Sequence, residues 1–324
     1  MTIKSSSESN GILSGSWPFL CFLLGSLCIP ITLPWIICQL VSKIQLKKQR
    51  ADLQGKVVVI TGASSGLGEA LAHSFYKVGC QVVLAARRKD ELERVKQELM
   101  QSYSTVTTLP PMVLQLDLSD LKSIPSKMNY VLDVFKHVDI LINNGGVSHR
   151  GDVLTTDIDV DIKVMLVNYF GMVALTKAIL PSMISRKKGH IVSVSSVQGK
   201  IAIPFRSAYA ASKHAMQAFS DSLRAEVSKD NIDVTVVSPG YIKTDLSINA
   251  VTGTGAKYGV MDATTASGYE PSTVAETIVN AVANRKKDVI ISTLSPQLGI
   301  LLRTVCPSFY FWLMKNKAKS GTNF

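Results

Sequence analysis

One stretch near residue 60 constrains the fold more than any other part of this 324-residue chain. Four apolar residues, 57–60, lead directly into the loop TGASSGLG at 61–68, and apolar residues then recur at helical spacing until Gly79. Glycines at a strand-to-helix turn let backbone N–H groups and a helix N-terminus approach a pyrophosphate. A glycine trio also occurs in ordinary tight turns, so it is the flanking strand and helix that favour a dinucleotide site.

The adenosine end of such a site is expected where the second strand ends. That strand ends Ala-Ala-Arg-Arg at 85–88, without a carboxylate to accept from a free ribose 2′-hydroxyl. The Arg87 guanidinium would instead bind a 2′-phosphate, so the sequence favours NADP(H) over NAD(H), the alternative being a solvated basic turn. The loop residues expected at the cofactor are Gly62, Ser64, Ser65, Gly66, Leu67 and Gly68.

Short β-branched runs alternate with amphipathic segments through the middle of the chain, which is typical of a parallel sheet covered on both faces. The predicted strands are 57–61, 81–85, 113–116, 140–143, 191–195, 234–238 and 289–292. We therefore predict an α/β, doubly wound (Rossmann) fold with a seven-stranded parallel sheet. Its ligand should lie at the carboxyl ends of the strands, near the switch in strand order.

A tyrosine and a lysine stand four residues apart in Tyr209-Ala-Ala-Ser-Lys213, on one face of a predicted helix. A phenol titrates near pH 10 in water, and a neighbouring cation favours its phenolate. Ser196, thirteen positions before the tyrosine, ends a predicted strand, where its hydroxyl could hold a carbonyl oxygen. By itself, Tyr-x-x-x-Lys is more often a surface pair. It indicates an active site only in combination with the glycine loop and Ser196.

Taken together, these motifs resemble the short-chain dehydrogenase/reductase family over about residues 51–292. The matching elements are the glycine loop at 61–68, Asn-Asn-Gly-Gly at 143–146, Ser196, Tyr209-x-x-x-Lys213 and Pro-Gly at 239–240. The usual family sequence Asn-Asn-Ala-Gly has a glycine at position 145 here, and the basic residue that some NADP-dependent members carry in the glycine loop is replaced by serine.

The resemblance implies a role for each matching residue. Tyr209 would be the general acid in carbonyl reduction and the base in the reverse direction. Lys213 would lower the pKa of that phenol and bind the nicotinamide ribose, Ser196 would orient the substrate oxygen, and Asn168 would hold a proton-relay water. The further cofactor-side residues implied are Asp117 at the adenine, Asn144 at the centre of the sheet and Thr244 at the nicotinamide carboxamide.

The first fifty residues predict a membrane anchor. No charged residue lies between Glu8 and Lys43, and the apolar part, 17–41, is long enough to cross a bilayer. A cleaved signal peptide is the competing interpretation. Because four cations at 43–50 follow this segment, we expect the catalytic domain in the cytosol. The expected location is a single pass through the membrane of the endoplasmic reticulum.

The charge distribution and the ends of the chain limit the partners. The net charge is +11, but residues 51–284 carry only +1, which argues against a nucleic-acid groove. The histidines and cysteines show no metal-ligand spacing. His149 and Arg150 could touch substrate, but we expect them as solvated loop residues. We expect a catalytic domain at 51–292 with a substrate lid at 241–270, followed by an apolar, basic extension at 293–324. Within this extension, residues 294–314 are expected to form an interfacial or substrate-facing helix, in preference to a second membrane span.

The sequence as a whole predicts a membrane-anchored, NADP(H)-dependent oxidoreductase that reduces a ketone or aldehyde on a lipophilic substrate, or oxidises the alcohol. A homo-oligomer is compatible with the family. One alternative is a dinucleotide-binding scaffold or redox sensor with negligible turnover. The other is a sugar-nucleotide epimerase or dehydratase of the same broader fold, which would retain its dinucleotide through the cycle.

Overall fold

The structure is a computed structural model, and it describes residues 44–319 together with residues 34, 36–38 and 41. The chain divides into two units, Met1–Gln49 and Arg50–Phe324. The described residues of the first unit are all helical, and its Ile36, Ile37 and Val41 side chains are exposed. The predicted span at 17–41 lies almost wholly outside the described residues.

The second unit is built on a parallel sheet of seven strands in the order β3-β2-β1-β4-β6-β7-β9. These strands are β1 (Val57–Thr61), β2 (Gln81–Ala86), β3 (Met112–Gln115), β4 (Ile140–Asn143), β6 (Gly189–Val194), β7 (Ile232–Pro239) and β9 (Asp288–Ile291). This confirms the predicted doubly wound sheet, with every strand end within two residues of its expected position. A small second sheet, β5 (His149–Arg150) with β8 (Val251–Thr252), was not predicted.

Helices cover both faces of the large sheet. In the described part of the second unit they are α1 (Gly66–Lys77), α2 (Lys89–Ser102), α3 (Ile124–Phe135), α4 (Ile158–Met165), α5 (Gly171–Arg186), α6 (Ser207–Glu226), α7 (Ala263–Ala266), α8 (Pro271–Ala283), α9 (Leu294–Val305) and α10 (Pro307–Lys319). A π-helical turn, Leu166–Phe170, joins α4 to α5.

Alternation along the strands divides the core into two layers. In β1, Val58 and Ile60 pack into one layer with residues of α1, α2 and α8. Val57 and Val59 point to the opposite face and pack with residues of α3, α5 and α6. Because both faces are covered, the central strand β1 is buried along its whole length.

The switch in strand order lies between β1 and β4. The chain builds β1, β2 and β3 toward one edge and then returns to place β4 on the other side of β1. The segments that follow the two strands therefore diverge and leave a crevice at the carboxyl edge of the sheet, where open α/β folds bind their ligands.

Within the described residues, one helix is long and apolar enough to cross a membrane, and it runs from Ile158 to Arg186. This helix comprises α4, the π-helical turn and α5. Its Leu175, Ile179 and Met183 side chains are buried in the core layer beside α3, whereas Ile158 and Ile162 are exposed. Packing against the sheet accounts for the apolar residues on the buried face of this helix.

Candidate active site

The loop between β1 and α1 is shaped by its glycines. Gly62 and Gly66 have φ values of +68° and +58°, in the left-handed region that favours glycine. A Cβ on Gly68 would collide with the Gly62 carbonyl group. Helix α1 begins after Ser65 without a side-chain cap, so its first amides are left for a ligand in the cleft that this turn lines.

The end of β4 is tied to this loop through Thr61. The Thr61 hydroxyl accepts hydrogen bonds from the backbone amides of Asn144 (3.0 Å) and Gly145 (2.9 Å). The Asn144 side-chain amide donates to the Thr61 carbonyl at 2.9 Å. Asn144 therefore joins the carboxyl ends of the two strands that flank the switch in strand order.

The glycine at position 145 has a packing explanation. A Cβ there would lie 2.7 Å from the Leu118 Cδ1 atom and 3.3 Å from the Gly62 amide nitrogen. Gly145 does not adopt a positive φ, so the added backbone freedom is not used. The departure from Asn-Asn-Ala-Gly instead makes room for Leu118 beside the glycine loop.

The basic residue that contacts the glycine loop is Arg88, one position beyond the predicted Arg87. The Arg88 Nη2 atom donates to the Ser64 hydroxyl at 3.0 Å and to the Ser65 hydroxyl at 2.8 Å. Arg87 is exposed at the same edge of the cleft. A guanidinium from the turn after β2 thus contacts the glycine loop, and the sequence did not predict this contact because it joins two separate turns.

The other predicted cofactor-side residues also line the cleft. Asp117 follows β3, and its carboxylate accepts from the Ser119 amide (2.9 Å) and hydroxyl (2.7 Å). Burial alone would raise the pKa of Asp117, but these hydrogen bonds and the charge of Arg87 outweigh it and hold the pKa below its ordinary value. Thr244 approaches the loop from the opposite wall, where a Cβ on Gly66 would lie 3.1 Å from the Thr244 Cγ2 atom.

Ser196, Tyr209 and Lys213 meet in the cleft. Ser196 follows β6, and its hydroxyl caps a short 3₁₀ turn by accepting from the Gln198 amide at 3.1 Å. Tyr209 and Lys213 are one turn apart on α6, and both are buried. The Lys213 ammonium donates to the Val194 carbonyl at 2.9 Å and lies 5.7 Å from the centre of the Tyr209 ring.

Burial shifts the titration of both α6 groups. It raises the pKa of Tyr209, whereas the resemblance implied that Lys213 would lower it. The hydrogen bond with Ser196 and the charges of Arg150 and Arg206 oppose this rise without cancelling it. Burial also lowers the pKa of Lys213 to about 8. At neutral pH the phenol is therefore protonated and the lysine is still a cation, the states that suit a proton donor beside a positive charge.

Asn168 occupies the π-helical turn between α4 and α5, a departure from regular helix that often marks functional sites. Its side-chain amide donates to the Val147 carbonyl and to the Ser212 hydroxyl, each at 2.9 Å. Its carbonyl oxygen accepts from the Val147 amide at 2.8 Å. A Cβ on Gly146 would meet both this oxygen and the Lys213 ammonium, so Asn168 and Lys213 border one small space behind the cleft.

A buried charge cluster that the sequence did not predict lies against the substrate end of the cleft, which it reaches through Arg150. Asp262 is wholly buried and accepts from Arg150 at 2.5 Å and from Arg206 at 3.1 Å. His149 and Arg150 were expected as solvated loop residues, and this is wrong because β5 pairs with β8 and buries both side chains. The cluster carries two cations and one anion beside Tyr209.

Glu69, His73 and Glu98 place their ligand atoms within 4.8 Å of one another on α1 and α2. Sequence spacing could not show this group, because it joins two helices. Arg94 donates to Glu69 at 3.0 Å and to Glu98 at 2.8 Å, so the two carboxylates already have a cationic partner.

The cleft has a volume of about 600 Å³ and runs from the glycine loop to Tyr209 and residues 241–251. Its cofactor end fits a dinucleotide, because three glycines and an uncapped helix N-terminus line it. At the other end the Gln198 carboxamide oxygen is buried and finds no hydrogen-bond partner among the described residues.

A doubly wound sheet with a dinucleotide cradle and a buried serine, tyrosine and lysine defines a dinucleotide-dependent oxidoreductase. The family model described as short chain dehydrogenase matches residues 56–254. The dehydrogenase/reductase SDR family protein 7-like of Anopheles gambiae is 60% identical over 298 residues, which are 92% of this chain and 94% of the relative.

A bovine (Bos taurus) relative, dehydrogenase/reductase SDR family member 7B, is 49% identical over 300 residues, 92% of each chain. Among solved structures, the alcohol dehydrogenase of Thermococcus sibiricus, complexed with 5-hydroxy-NADP, aligns with a TM-score of 0.62 and 26% identity over 74% of this chain and 96% of its own. The chain belongs to the short-chain dehydrogenase/reductase family, which confirms the resemblance seen in the sequence, and it is an NAD(P)-dependent oxidoreductase.

Proposed function

We propose that the protein is a membrane-anchored reductase that uses NADPH to reduce a ketone or aldehyde group on a lipophilic molecule, and that the reverse oxidation uses the same groups. The observation that carries this proposal is the convergence of Ser196, Tyr209 and Lys213 in the cleft that begins at the glycine loop. Bound NADPH would supply the hydride for the carbonyl carbon.

Tyr209 would give its phenolic proton to the carbonyl oxygen during reduction. The raised pKa of Tyr209 keeps this proton in place at neutral pH. The Ser196 hydroxyl would hold the same oxygen, since the serine and the phenol are hydrogen-bond neighbours. Lys213 would stabilise the phenolate left after proton transfer, and its charge is retained up to a pH of about 8.

Asn168 would maintain the position of Lys213 and a path for proton resupply. Its amide bridges Val147 and Ser212, and its oxygen borders the space that also holds the Lys213 ammonium. The polar lining of this space suits a water molecule between asparagine and lysine.

The preference for NADPH over NADH rests on two arginines. Arg88 already donates to the two loop hydroxyls at Ser64 and Ser65, and Arg87 is exposed at the same edge. Two guanidinium groups and no carboxylate at the end of β2 would favour a 2′-phosphate over a free 2′-hydroxyl. The 5-hydroxy-NADP in the Thermococcus sibiricus relative is consistent with this assignment.

Anchoring by residues 17–41 supports the lipophilic substrate class, because a reductase held at a bilayer meets molecules dissolved in it. The four cations at 43–50 and the near-neutral catalytic domain support the predicted cytosolic orientation. The helical state and the exposure of Ile36, Ile37 and Val41 are those expected of an anchor.

The test is oxidation of NADPH by the full chain in detergent, measured against a panel of long-chain ketones and aldehydes with NADH in parallel. We expect turnover that prefers NADPH. Tyr209→Phe should abolish it, whereas Tyr76→Phe, a change in a buried core tyrosine outside the cleft, should not.

Two results would overturn the proposal. Turnover restricted to water-soluble sugars would contradict the lipophilic substrate class. Cofactor binding without turnover on any carbonyl, combined with full cellular function of Tyr209→Phe, would favour the scaffold or redox sensor.

A further inference from the structure

The last two helices expose a continuous apolar face. On α9, Leu294, Leu298, Leu301 and Val305 follow one another at intervals of four, three and four residues and are 75%, 56%, 57% and 67% exposed. This spacing places them on one side of the helix. We call α9 and α10 together the C-terminal pair.

Helix α10 adds aromatic side chains to the exposed surface of the pair. Phe309, Phe311 and Trp312 are each about half exposed, at 50%, 53% and 54%. The Phe309 and Trp312 rings stack with their centres 5.6 Å apart. Tryptophan and phenylalanine in this setting are typical of segments that lie at the boundary between headgroups and acyl chains.

The opposite face of the C-terminal pair is already packed against the catalytic domain. Tyr310 is 3% exposed, and its hydroxyl donates to the Ala202 carbonyl at 2.6 Å. On α9, Gly299 approaches Ile201 so closely that a Cβ would lie 3.2 Å from the Ile201 Cδ1 atom. These contacts fix the inner face against the catalytic domain. The apolar residues of the outer face therefore cannot rotate inward and pack there.

The charge of the pair identifies what would cover its outer face. No aspartate or glutamate occurs after Asp288, whereas Arg303, Lys315, Lys317 and Lys319 all lie in the pair. A second copy docked through the same face would bring like charges together. Anionic phospholipid headgroups offer the complementary charge, with acyl chains below them for the apolar residues.

The helix lengths define the kind of membrane contact. With 12 and 13 residues, the two helices are each roughly 20 Å long and fall short of the roughly 30 Å of bilayer hydrocarbon. Pro307 separates them. The pair would therefore lie on a membrane surface and does not form a second span.

A second apolar patch on the molecule provides the contrast. Val153, Leu154, Ile158 and Ile162 are 76%, 92%, 70% and 56% exposed. This patch is as apolar as the C-terminal pair, but Asp152, Asp157, Asp159 and Asp161 stand among its residues. An anionic bilayer would repel it, so exposure of apolar groups alone does not select the same partner.

We propose that the C-terminal pair is a membrane-docking surface, which inserts the outer faces of α9 and α10 into the interfacial region of a bilayer containing anionic lipid and sets its cations against the phosphates. The inner face of the pair contacts residues 201–202 of the loop between Ser196 and Tyr209. Docking would thus place the membrane against a loop that joins two active-site residues. This inference depends on neither the N-terminal anchor nor the reductase activity.

The experiment follows the environment of Trp312 in the full chain. Replacing Trp17 and Trp35 with Phe leaves Trp312 as the only tryptophan. The protein is mixed with vesicles of brominated phosphatidylcholine, with or without phosphatidylserine. We expect a blue shift and quenching of Trp312 that increase with phosphatidylserine and weaken as salt is added.

Two variants complete the test. In the first, Trp312→Phe is combined with Leu154→Trp to move the probe to the acidic patch, where we expect no quenching. In the second, Lys315→Gln and Lys319→Gln should weaken docking by about 30-fold, since each cation near an anionic leaflet contributes roughly a factor of five. NADPH oxidation on a detergent-dispersed substrate should be unchanged in the second variant, which separates a failure of docking from a failure of catalysis.

Two outcomes would overturn the proposal. One is a Trp312 signal that is no more quenched than the Leu154→Trp probe on any vesicle. The other is a blue shift that depends on protein concentration without lipid, which would identify a second copy of the chain as the occupant.

Discussion

The two ends of the cleft are built by different means. The cofactor end consists mainly of one backbone loop, 61–68, whose glycines permit close approach. The substrate end is backed by a buried cluster of charged side chains, Arg150, Arg206 and Asp262, contributed by three distant segments, of which Arg150 lines the cleft. The first construction is local in sequence and needs small residues, whereas the second depends on how distant segments pack and on burying charge.

This difference predicts where each end is sensitive to mutation. Mutations at the cofactor end should change cofactor affinity, because the contacts of this end are made with the ligand. Mutations at the substrate end should change stability, because a single buried carboxylate offsets the charge of two buried arginines there.

The largest expected effect on stability is at Asp262. Asp262→Asn would remove the buried negative charge that both Arg150 and Arg206 contact, at a cost of about 3–5 kcal/mol in the free energy of unfolding. Urea denaturation followed by circular dichroism measures this cost. Asp221→Asn, which breaks the exposed pair with Arg224, should change stability by less than about 1 kcal/mol. Equal effects of the two variants would show that the buried cluster is not held together by charge.

Arg88 should have the next largest effect, on cofactor choice. Arg88→Gln removes a guanidinium at the proposed 2′-phosphate site and should reduce the ratio of kcat/KM for NADPH over NADH by about 10- to 100-fold. The matched variant is Arg94→Gln in α2, the helix that follows Arg88, because Arg94 binds Glu69 and Glu98 outside the cleft. A preference for NADPH that survives both Arg87→Gln and Arg88→Gln would contradict the assignment.

The third prediction concerns pH. Because burial lowers the pKa of Lys213 to about 8, the cation is present below this pH and is lost as the pH rises through it. The kcat/KM for reduction should therefore fall above pH about 8, by up to about tenfold per pH unit. Lys213→Arg, which retains some activity only if a cation suffices, should move this fall to higher pH. An unchanged profile would assign the titration to another group.

The smallest expected effect is the loss of stability caused by adding a Cβ at Gly145. Gly145→Ala restores the family sequence, and its Cβ would press on the flexible end of Leu118 at 2.7 Å. We expect a cost of about 1–2 kcal/mol in stability and little change in cofactor affinity. Combining it with Leu118→Ala should recover part of this loss. Additive losses would show that Leu118 is not the group that requires glycine.

The sequence predicted most accurately what depends on local pattern. The seven strands could be located because each is a short apolar run bounded by turns, and the glycine loop because its residues are contiguous. Asn168 was identified only through the family motif, and its place in a π-helical turn could not be read from residues 166–170.

Features that depend on tertiary contacts were not predicted. The contact of Arg88 with Ser64 and Ser65 joins the turn after β2 to the turn after β1, and the role of the adjacent Arg87 at a 2′-phosphate stays a prediction. Burial of His149 and Arg150 depends on β8, a strand of two residues about a hundred positions away. Such a short pairing leaves no periodic pattern in the sequence.

The most direct test of the central claim measures NADPH binding and chemistry separately in one pair of proteins. NADPH affinity and the single-turnover rate of carbonyl reduction are determined for the wild-type chain and for Tyr209→Phe. If Tyr209 is the proton donor, the variant should bind NADPH with nearly the same Kd and lose about 10²- to 10⁴-fold in the rate of reduction. An undiminished rate, or a loss explained wholly by weaker NADPH binding, would contradict the account.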